Sequence, residues 1–552
     1  MKNSLFIANL DRCLPAEALS GKWQKNCWRI VDYETMSDIS GKMLMGTQDS
    51  TLQEIHYPLG LKGWYRIFLG LGNAYLNPPK MPMLKVKLSS DPCYTRIAPT
   101  LNHWWMEIDD CLWKEADLTG ELIHFMKEPN NQSYIAYVRL EPMSEQEINK
   151  AKQIEKENPS LFMAGTNDSY GIYNTIEELY EGIIPLRGSD LKKLFFCIAG
   201  GDISHYMPTT IGTMMESLPC EDFPRTIDKK IVEGYRRLNQ KYDVIEKVCS
   251  FSHEMGIEFH ASFRVGAFAC EPPFDELFIS DFYRKNPGFH CRDYDGREIS
   301  RLSYAWPEVQ EHMLSFYEES LRYDIDGINL IFIRSLPLML YETPLLEGFE
   351  KRYGRNPLTL KKDDPSFLEY RAGIITDFIR KIRNKMDQAG KRKKLELSVI
   401  VPANADVNKY FGLDLKTWID EELVDIILPD FSLQTTEHNE NPVNLDIGYY
   451  SDLVKGTNCR LLPRLQGFPP AQIEKSIEYI NKMIKAGANG VFLWDTVNYT
   501  QQAKIWEYLR NGCCPEFAEK LANGKFLKRE SKVLFKSLAG FTSDKHPTHI
   551  SF

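Results

Sequence analysis

The first quarter of the chain alternates short apolar runs with turn residues. Between about Trp28 and Leu140 the runs read "GWYRIFLGL", "MLKVKLSS", "HWWMEIDDCLW", "LIHFMKE" and "SYIAYVRLEP". Within them, apolar positions follow a period of two or a mixed pattern, and the runs recur at roughly 8–12 residues or a little more. This spacing is typical of an antiparallel β-sandwich. We therefore predict an accessory β-sandwich domain over residues 1–143.

A charged segment with helix-favouring composition follows this region. It reads "SEQEINKAKQIEKENP", from Ser144 to Pro159. Ser144 has Glu147 three residues later, which is the spacing of a capping box at a helix N-terminus. We predict a helical linker over residues 144–160.

Beyond Pro159 short apolar strands alternate with long helical segments. Eight such strands are predicted: "LFMAGTND" (161–168), "KLFFCIAGG" (193–201), "GIEFHASFRVG" (256–266), "DGINLIFIR" (326–334), "LELSVIVPA" (395–403), "VDIILPD" (424–430), "CRLLPRLQG" (459–467) and "GANGVFLWD" (487–495). Eight βα units are the number in a closed parallel barrel. The sequence predicts a (β/α)8 TIM barrel over residues 161–512, followed by a tail (513–552) that packs on the barrel or the β domain.

An open, doubly wound parallel sheet is the alternative arrangement for alternating strands and helices. No GxGxxG motif follows a predicted strand, and no Walker A loop occurs. Both motifs bind phosphates in open sheets of that kind. The barrel is therefore the favoured fold.

The ends of the predicted strands are rich in polar side chains. In a barrel, the loops after the strands build the active site at one face. The candidates are Asp168, Asp202, His205, His260, Arg264, Arg334, Asp430, Arg464, Trp494 and Asp495. Each has a purely structural alternative, because an aspartate after a strand often caps the next helix, a histidine can lie in the core, and an arginine can pair with a carboxylate.

The loop "SLPLMLYETPLLEGFEKRYG" adds Tyr341 and Glu342 to these candidates. Pro337 and Pro344 hold the loop extended, and Glu342 precedes a predicted helix. This carboxylate interacts either with the helix dipole or with a ligand in the cleft. We favour the second interpretation.

Metal and serine-nucleophile chemistry lack sequence support. "HEMGIEFH" does not have the HExxH spacing, "HPTH" is one weak pair near the end of the chain, and no GxSxG motif occurs. Paired carboxylates need no cofactor, and glycosidic hydrolysis uses two of them, one protonated and one ionised. Aromatic rings predicted near the mouth offer faces for sugars: Tyr206, Phe268, Tyr304, Trp306, Tyr341, Phe468 and Trp494.

Composition and charge exclude several classes of partner. The 552 residues carry 67 Lys and Arg against 76 Asp and Glu, a net charge of −9, and the longest basic block is "GKRKKLE". Nothing here predicts binding to nucleic acid or to an anionic membrane. No stretch approaches the ~20 apolar residues of a membrane span, and "MKNSLFIANLDRC" is too short and interrupted for a signal peptide.

The cysteines indicate a reducing compartment. Twelve cysteines are scattered without a CxxC pair, and several, including Cys197, Cys270 and Cys459, lie inside apolar strands. This distribution predicts reduced core thiols rather than a disulfide framework. We expect a cytoplasmic protein.

One segment carries a family resemblance. "RLSYAWPEVQEHMLSFYEESLRYDIDGINLIFIRS" resembles the region of glycosyl-hydrolase-like family 10 in which a "PEVR" helix precedes "YDVDGIHLDYIRYP". "GLDLKTWIDEELVDIILPD" and "AGANGVFLWD" are similar to later stretches of that family. The resemblance spans about residues 160–500. It implies a glycosidase-type barrel and a carbohydrate substrate.

The chain departs from that family within the predicted fourth strand. The aspartate of the family's "HLDYIR" falls at Ile331 and the histidine at Asn329. Positions 329 and 331 share one face of the strand, so the face toward the barrel interior is less polar here. The family's acidic residue therefore cannot be transferred to this chain, and Glu342 is the nearest replacement.

These inferences combine into a prediction of a glycoside hydrolase that needs no cofactor or metal. Glu342 is the predicted acid/base and Asp495 the second carboxylate, while substrate binding is assigned to Asp168, Asp202, His205, His260, Arg264, Arg334, Tyr341, Asp430, Arg464 and Trp494. The three arginines either keep a carboxylate ionised or bind an acidic sugar. The alternatives are a carbohydrate-binding barrel without activity, motivated by Ile331, and a lyase or isomerase that uses His205 or His260 as base.

Overall fold

The computed structural model describes residues 4–35, 38–73, 82–99, 106–154, 162–218, 223–266, 268–269, 274, 277–390, 393–431, 445–465, 473–496 and 529–535. Phe468, Cys270 and the "HPTH" pair lie outside the described residues. None of the helices within these ranges combines the length and apolar character of a membrane span.

Strands that pair mostly antiparallel form the N-terminal part of the structure, the exception being the parallel pairing of β2 with β3. They are β1 (Leu5–Ile7), β2 (Leu19–Ser20), β3 (Trp28–Thr35), β4 (Ser40–Gly46), β5 (Ile55–Pro58), β6 (Trp64–Gly72), β7 (Leu84–Leu88), β8 (Thr95–Ile97), β9 (Glu107–Asp117), β10 (Leu122–Lys127) and β11 (Ser133–Pro142). One sheet has the order β5-β10-β7-β8. In the larger sheet β11 pairs with both β4 and β6, and β6 pairs with β9.

The larger N-terminal sheet contains a strand from the far end of the chain. This strand, here labelled β24, covers Arg529–Phe535. It pairs antiparallel with β3 on one side and β9 on the other. The sequence predicted only that the tail would pack on one of the two domains.

A helix joins the two parts of the structure. Helix α1 covers Glu145–Ile154 and lies within the predicted linker. The backbone N–H of Ser144 donates to Glu147 Oε2 at 2.8 Å, and the backbone N–H of Glu147 donates to Ser144 Oγ at 3.4 Å. This is the reciprocal contact that the capping-box spacing predicts.

Strands and helices alternate after the linker. The strands are β12 (Phe162–Asn167), β13 (Leu191–Gly200), β14 (Ile203–Ser204), β15 (Thr213–Met214), β16 (Glu258–Arg264), β17 (His290–Arg292), β18 (Glu298–Leu302), β19 (Gly327–Ile331), β20 (Glu396–Pro402), β21 (Ile426–Asp430), β22 (Arg460–Leu461) and β23 (Gly490–Leu493). The helices are α2 (Ile176–Tyr180), α3 (Thr226–Asn239), α4 (Val244–Glu254), α5 (Asp281–Lys285), α6 (Pro307–Ser320), α7 (Thr343–Tyr353), α8 (Pro365–Ala389), α9 (Ala405–Tyr410), α10 (Leu415–Asp420), α11 (Ile447–Val454) and α12 (Ile473–Lys485). The mixed α/β class predicted from the sequence is confirmed.

The main sheet of this part is parallel. Its pairings run β12-β13-β16-β19-β20-β21-β22, and β12 also pairs with β23. Between β22 and β23, the N–H of Asn489 donates to the Leu461 carbonyl at 3.0 Å and that of Phe492 to the Pro463 carbonyl at 3.1 Å. A parallel bridge joins Arg464 to Phe492. The carboxyl ends of all these strands therefore lie on one side of the sheet.

An apolar cluster lies on one face of the parallel sheet. Its buried members are Ala164, Phe195, Ile331, Ile333, Ile400, Ile426, Leu428, Leu462, Phe492 and Trp494. Ile331 lies in this cluster, so its side chain packs against other hydrocarbon groups. Asn329, two residues earlier, is also fully buried. Its carboxamide accepts from Ser262 Oγ at 2.7 Å and donates to Ser398 Oγ at 2.8 Å, so its polarity is satisfied within the sheet.

The Asp326-Gly327 pair anchors the amino end of β19. The Asp326 carboxylate accepts hydrogen bonds from the Phe259 backbone N–H at 2.7 Å and from Lys393 Nζ at 2.9 Å. A Cβ atom on Gly327 would lie 2.2 Å from the Glu396 carbonyl oxygen and 2.5 Å from a ring nitrogen of His260. Only glycine permits this close approach of backbone and imidazole.

Candidate functional site

Two ion pairs lie at the carboxyl ends of the parallel strands. Arg264, the last residue of β16, places its guanidinium 2.8 Å from Asp168 Oδ2, just after β12. Arg464, which follows β22, lies 2.9 Å from Oδ1 and 3.2 Å from Oδ2 of Asp430 at the end of β21. Each pair therefore connects two different strand ends.

A third arginine and a tryptophan complete what we call the strand-end cluster, which consists of Asp168, Arg264, Arg334, Asp430, Arg464 and Trp494. The guanidinium carbon of Arg334 lies 5.2 Å from the Trp494 ring centroid, and that of Arg464 lies 5.7 Å from it. Both distances are within the range of cation–π attraction. The tryptophan ring therefore holds two guanidinium groups near each other.

Arg334 differs from the other two arginines in its surroundings. It forms no ion pair with any residue that the structure describes, and its buried Nε has no hydrogen-bond partner among them. Burial lowers the pKa of Arg334, and the positive charges of Arg264 and Arg464 lower it further, against the opposing effects of Asp168 and Asp430. Its backbone has a φ of 60°, in the left-handed region that few residues other than glycine adopt.

Arg264 is stabilised as a cation by its neighbours. Burial alone would lower its pKa, but Asp168 and the Cys197 thiol have the larger combined effect and raise it. Oδ1 of Asp168 is buried and has no hydrogen-bond partner among the described residues. The ion pair therefore uses only one of the two carboxylate oxygens.

His205 lies behind this ion pair as a neutral imidazole. Its Nδ1 is 3.0 Å from Ser169 Oγ, and its ring stacks on Tyr235 at a centroid distance of 5.4 Å. Burial and the positive charge of Arg264 lower the pKa of His205 to about 4. It is therefore uncharged at neutral pH, which is the form a general base requires.

Asp495 follows Trp494 at the end of β23. Its backbone N–H donates to Thr166 Oγ1 at 2.7 Å, and its φ is 59°. The side chain is partly exposed. Its negative charge contributes to the raised pKa of Tyr173, although burial is the main cause. The structure therefore places Asp495 at the same edge of the sheet as Asp168.

Glu342 has a different environment. Its side chain is 2% exposed. One carboxylate oxygen accepts from the Arg292 backbone N–H at 2.8 Å, and both accept from the Leu340 N–H at 3.1 and 3.0 Å. No hydrogen bond or ion pair among the described residues joins Glu342 to the strand-end cluster. Burial raises its pKa against the effect of these hydrogen bonds. The Glu342 carboxylate therefore connects the β17–β18 hairpin, through Arg292, to the loop that contains Leu340 and Glu342.

Tyr341 and Asp202 are also held in the protein interior. The Tyr341 ring lies 5.4 Å from Tyr294 and 5.5 Å from Phe367. Asp202 is fully buried and its Oδ2 is 2.8 Å from Nε2 of His312 on α6. These contacts tie both residues to the surrounding helices and loops, away from the cluster described above.

His260 lies near the opposite end of the strands. It belongs to an ionic group at their amino ends, formed with Lys193, Glu258 and Glu396, which we call the amino-end cluster. Lys193 Nζ is 2.6 Å from Glu396 Oε2 and also pairs with Glu258, while His260 Nε2 is 3.8 Å from a carboxylate oxygen of each glutamate. His260 and Arg264 are four residues apart on β16, which separates them by about 13 Å.

The amino-end cluster has the donor set of a metal site, because donor atoms of Glu258, His260 and Glu396 lie within 4.8 Å of one another. Lys193, however, already supplies the positive charge between the two carboxylates. Burial would raise the pKa of Glu258, but the nearby His260 and the hydrogen-bonded, positively charged Lys193 hold it at about 2. Sequence reasoning missed this group, although a charged residue near the start of each apolar strand was the available signal.

The parallel sheet with polar strand ends defines a mixed α/β protein. Residues 224–483 match the model of the family described as Glycosyl hydrolase-like 10. This confirms the resemblance found in the sequence. No curated protein sequence matches the chain.

Solved structures with partial similarity include several glycosidases. The catalytic domain of β-amylase from Paenibacillus polymyxa has a TM-score of 0.43 and 11% identity, covering 65% of this chain and 100% of that one. β-Galactosidase from the psychrophilic Marinomonas ef1 has a TM-score of 0.42 and 10% identity, and the match covers 66% of this chain and 60% of that one. The α-galactosidase TtGalA from Thermus thermophilus has a TM-score of 0.33 and 12% identity, and the match covers 89% of this chain and 90% of that one.

Proposed function

We propose that the protein is a glycoside hydrolase whose eight parallel strands close into a barrel and whose substrate binds at the strand-end cluster. The observation that carries this proposal is the convergence of Asp168, Arg264, Arg334, Asp430 and Arg464 from five strand ends around Trp494. Ligands of barrel enzymes bind at this edge of the sheet. The family match supports a carbohydrate as the ligand.

Closure of the barrel is supported by the contacts between β22 and β23. The hydrogen bonds from Asn489 and Phe492 to the β22 segment, together with the pairing of β23 with β12, leave no open edge between the first and last strands. We accordingly assign the barrel to residues 161–512 and the accessory β domain to residues 1–143.

The proposed catalytic carboxylates are Asp495 and Glu342. Asp495 is partly exposed beside Trp494, as a nucleophile or base for water requires. Glu342 has the raised pKa of a proton donor. Because the N–H groups of Arg292 and Leu340 hold its oxygens, the loop that carries Glu342 has to move before it reaches a glycosidic oxygen.

The contacts of Glu342 also favour a second candidate function, a carbohydrate-binding barrel without hydrolytic activity. Asp168 and Asp430 are each already paired with an arginine. Ile331 occupies the interior position at which the related family sequence has an aspartate. On this alternative, Glu342 is a structural carboxylate and the strand-end cluster binds the sugar without cleaving it.

Incubation with a panel of oligosaccharides and polysaccharides, followed by chromatography and mass spectrometry of the products, tests the two functions. A hydrolase releases saturated sugars, and Glu342→Gln and Asp495→Asn should each lower the rate at least 100-fold. The matched controls Glu347→Gln and Asp452→Asn alter exposed carboxylates and should leave the rate unchanged. Full activity in both test variants would contradict the catalytic assignment.

Two other results would identify the alternatives. Binding of a glycan by the wild-type protein with no product would support the non-catalytic barrel. Release of an unsaturated or isomerised sugar would indicate a lyase or isomerase, and His205→Gln should then abolish that product.

A further inference from the structure

The strand-end cluster contains one positive charge more than its ion pairs use. Arg264 is paired with Asp168 and Arg464 with Asp430, whereas Arg334 has no carboxylate partner among the described residues. Arg334 is therefore the guanidinium of the cluster whose positive charge lies outside its two ion pairs. That charge is carried at the site where the proposed function binds its substrate.

The position of Arg334 suits an incoming anion. Its guanidinium lies over the ring of Trp494, and no ion pair with a described residue occupies its N–H donors, which suit the oxygens of an anion. The buried Nε has no acceptor. A buried donor without a partner costs free energy in the unbound protein, and an oxyanion from a ligand would recover it.

The fixed surroundings of Arg334 favour a preorganised contact. The left-handed backbone at Arg334 and the tryptophan ring beneath its side chain limit where the guanidinium can lie. Arginine binds carboxylate and sulfate oxygens through two parallel hydrogen bonds, which gives both affinity and orientation. Arg264 and Arg464 on either side would add attraction without direct contact.

We propose that Arg334 recognises an oxyanion substituent, a carboxylate or a sulfate, on the sugar bound at the strand-end cluster, so that the natural substrate is an acidic glycan. This inference rests on the proposed function, since it concerns the ligand of the same site. It goes beyond that function because it specifies the substituent that the sugar carries and the side chain that binds this substituent.

Calorimetric titration with matched glycans tests this proposal. The probes are oligosaccharides of galacturonan, glucuronoxylan and alginate, each beside its carboxyl-reduced neutral counterpart, together with sulfated carrageenan oligosaccharides and inorganic sulfate alone. We expect at least one acidic oligosaccharide to bind at least 10-fold more tightly than its neutral form. Whether uronate or sulfated probes bind identifies the oxyanion.

Variants connect this preference to the residue. Arg334→Gln should remove the difference between acidic and neutral forms, and Arg334→Lys should keep only part of it because an ammonium lacks the fork of donors. Arg284→Gln is the matched control, since it deletes an exposed arginine from the surface of α5 and should leave the preference intact. Unfolding midpoints of all variants verify that they are folded.

The possible failures are distinguishable. Equal binding or cleavage of acidic and neutral glycans, or an acidic preference that survives Arg334→Gln, would overturn this inference and leave the proposed function in place. Absence of binding and cleavage for every glycan would overturn both. Binding of inorganic sulfate with no glycan binding would likewise overturn the assignment to an acidic sugar.

Discussion

The guanidinium carbon of Arg334 lies 5.2 Å from the ring centroid of Trp494, and Arg334 forms no ion pair with any residue that the structure describes. The two residues follow β19 and β23, which are not neighbours in the parallel sheet. Arg464 approaches the same ring at 5.7 Å. The arrangement keeps like charges near each other at the proposed mouth of the barrel.

This relationship predicts opposite effects of two similar substitutions on stability. Arg334→Gln removes an unpaired buried charge and should raise the free energy of unfolding by up to about 1 kcal/mol. Arg264→Gln leaves Asp168 without its partner and should lower it by about 1–3 kcal/mol. Urea unfolding measures both. Equal destabilisation by the two variants would show that Arg334 has a structural partner.

The protein should lose stability between pH 6.5 and pH 4 because of His205. Its pKa is lowered to about 4 in the folded protein, first by burial and then by Arg264, while an unfolded histidine has its ordinary value near 6.5. The unfolded chain therefore takes up a proton in this window and the folded protein does not. The neutral His205 therefore makes its full contribution to the free energy of unfolding above pH 6.5. About 3 kcal/mol of this contribution should be lost by pH 4.

Unfolding curves of the wild type and of His205→Gln at several pH values measure this contribution. The difference in free energy of unfolding between the two proteins should be constant above pH 7 and should change across the window. A constant difference from pH 7 to pH 4 would show that His205 titrates normally.

Placing the related family's aspartate into the fourth parallel strand should disrupt this chain. Ile331→Asp buries a carboxyl group in the apolar cluster that contains Ile333, Ile400 and Phe492. We expect a loss of about 3–5 kcal/mol at pH 7. The loss should be smaller near pH 4, because the neutral acid costs less to bury. Ile331→Asn, of equal size but without charge, should show no such pH dependence.

We expect Lys193 to stabilise the amino-end cluster without a metal ion, because its ammonium group pairs with both Glu258 and Glu396. In Lys193→Met, Glu258 and Glu396 lose the cation between them, and stability should fall by about 2–3 kcal/mol. Added Zn²⁺ should recover part of the loss, since His260 and two carboxylates then remain as ligands.

The control for this experiment is Lys192→Met, which changes the neighbouring lysine. Thermal unfolding with Zn²⁺ and with EDTA should give the same midpoint for the wild type and for this control. A wild-type midpoint that falls in EDTA would mean that the cluster holds a metal beside Lys193.

Much of the architecture was predictable because each signal is local. The capping box at Ser144 and Glu147, the apolar strands and the glycine at position 327 all act on their immediate neighbours, and the structure shows each of them in place. The placement of Asn329 and Ile331 on one face followed from the two-residue period of a strand.

The contacts within the site were less accessible to sequence reasoning. Polar residues near strand ends were identified, but the pattern does not reveal which side chains pair across strands. Asp168 with Arg264 and Asp430 with Arg464 are separated by 96 and 34 positions in the chain. Glu342 was selected for its position before a helix, whereas its hydrogen bonds depend on Arg292 in a distant hairpin. Likewise, His260 was assigned to a strand end although its strand continues to Arg264.

The insertion of β24 between β3 and β9 ties the two ends of the polypeptide into a single sheet. A chain shortened before Arg529 would retain every residue of the strand-end cluster yet expose the backbone N–H and carbonyl groups of both neighbouring strands. Such unsatisfied edges pair readily with other molecules. Truncation at the C-terminus is therefore expected to produce aggregation rather than a change in sugar recognition.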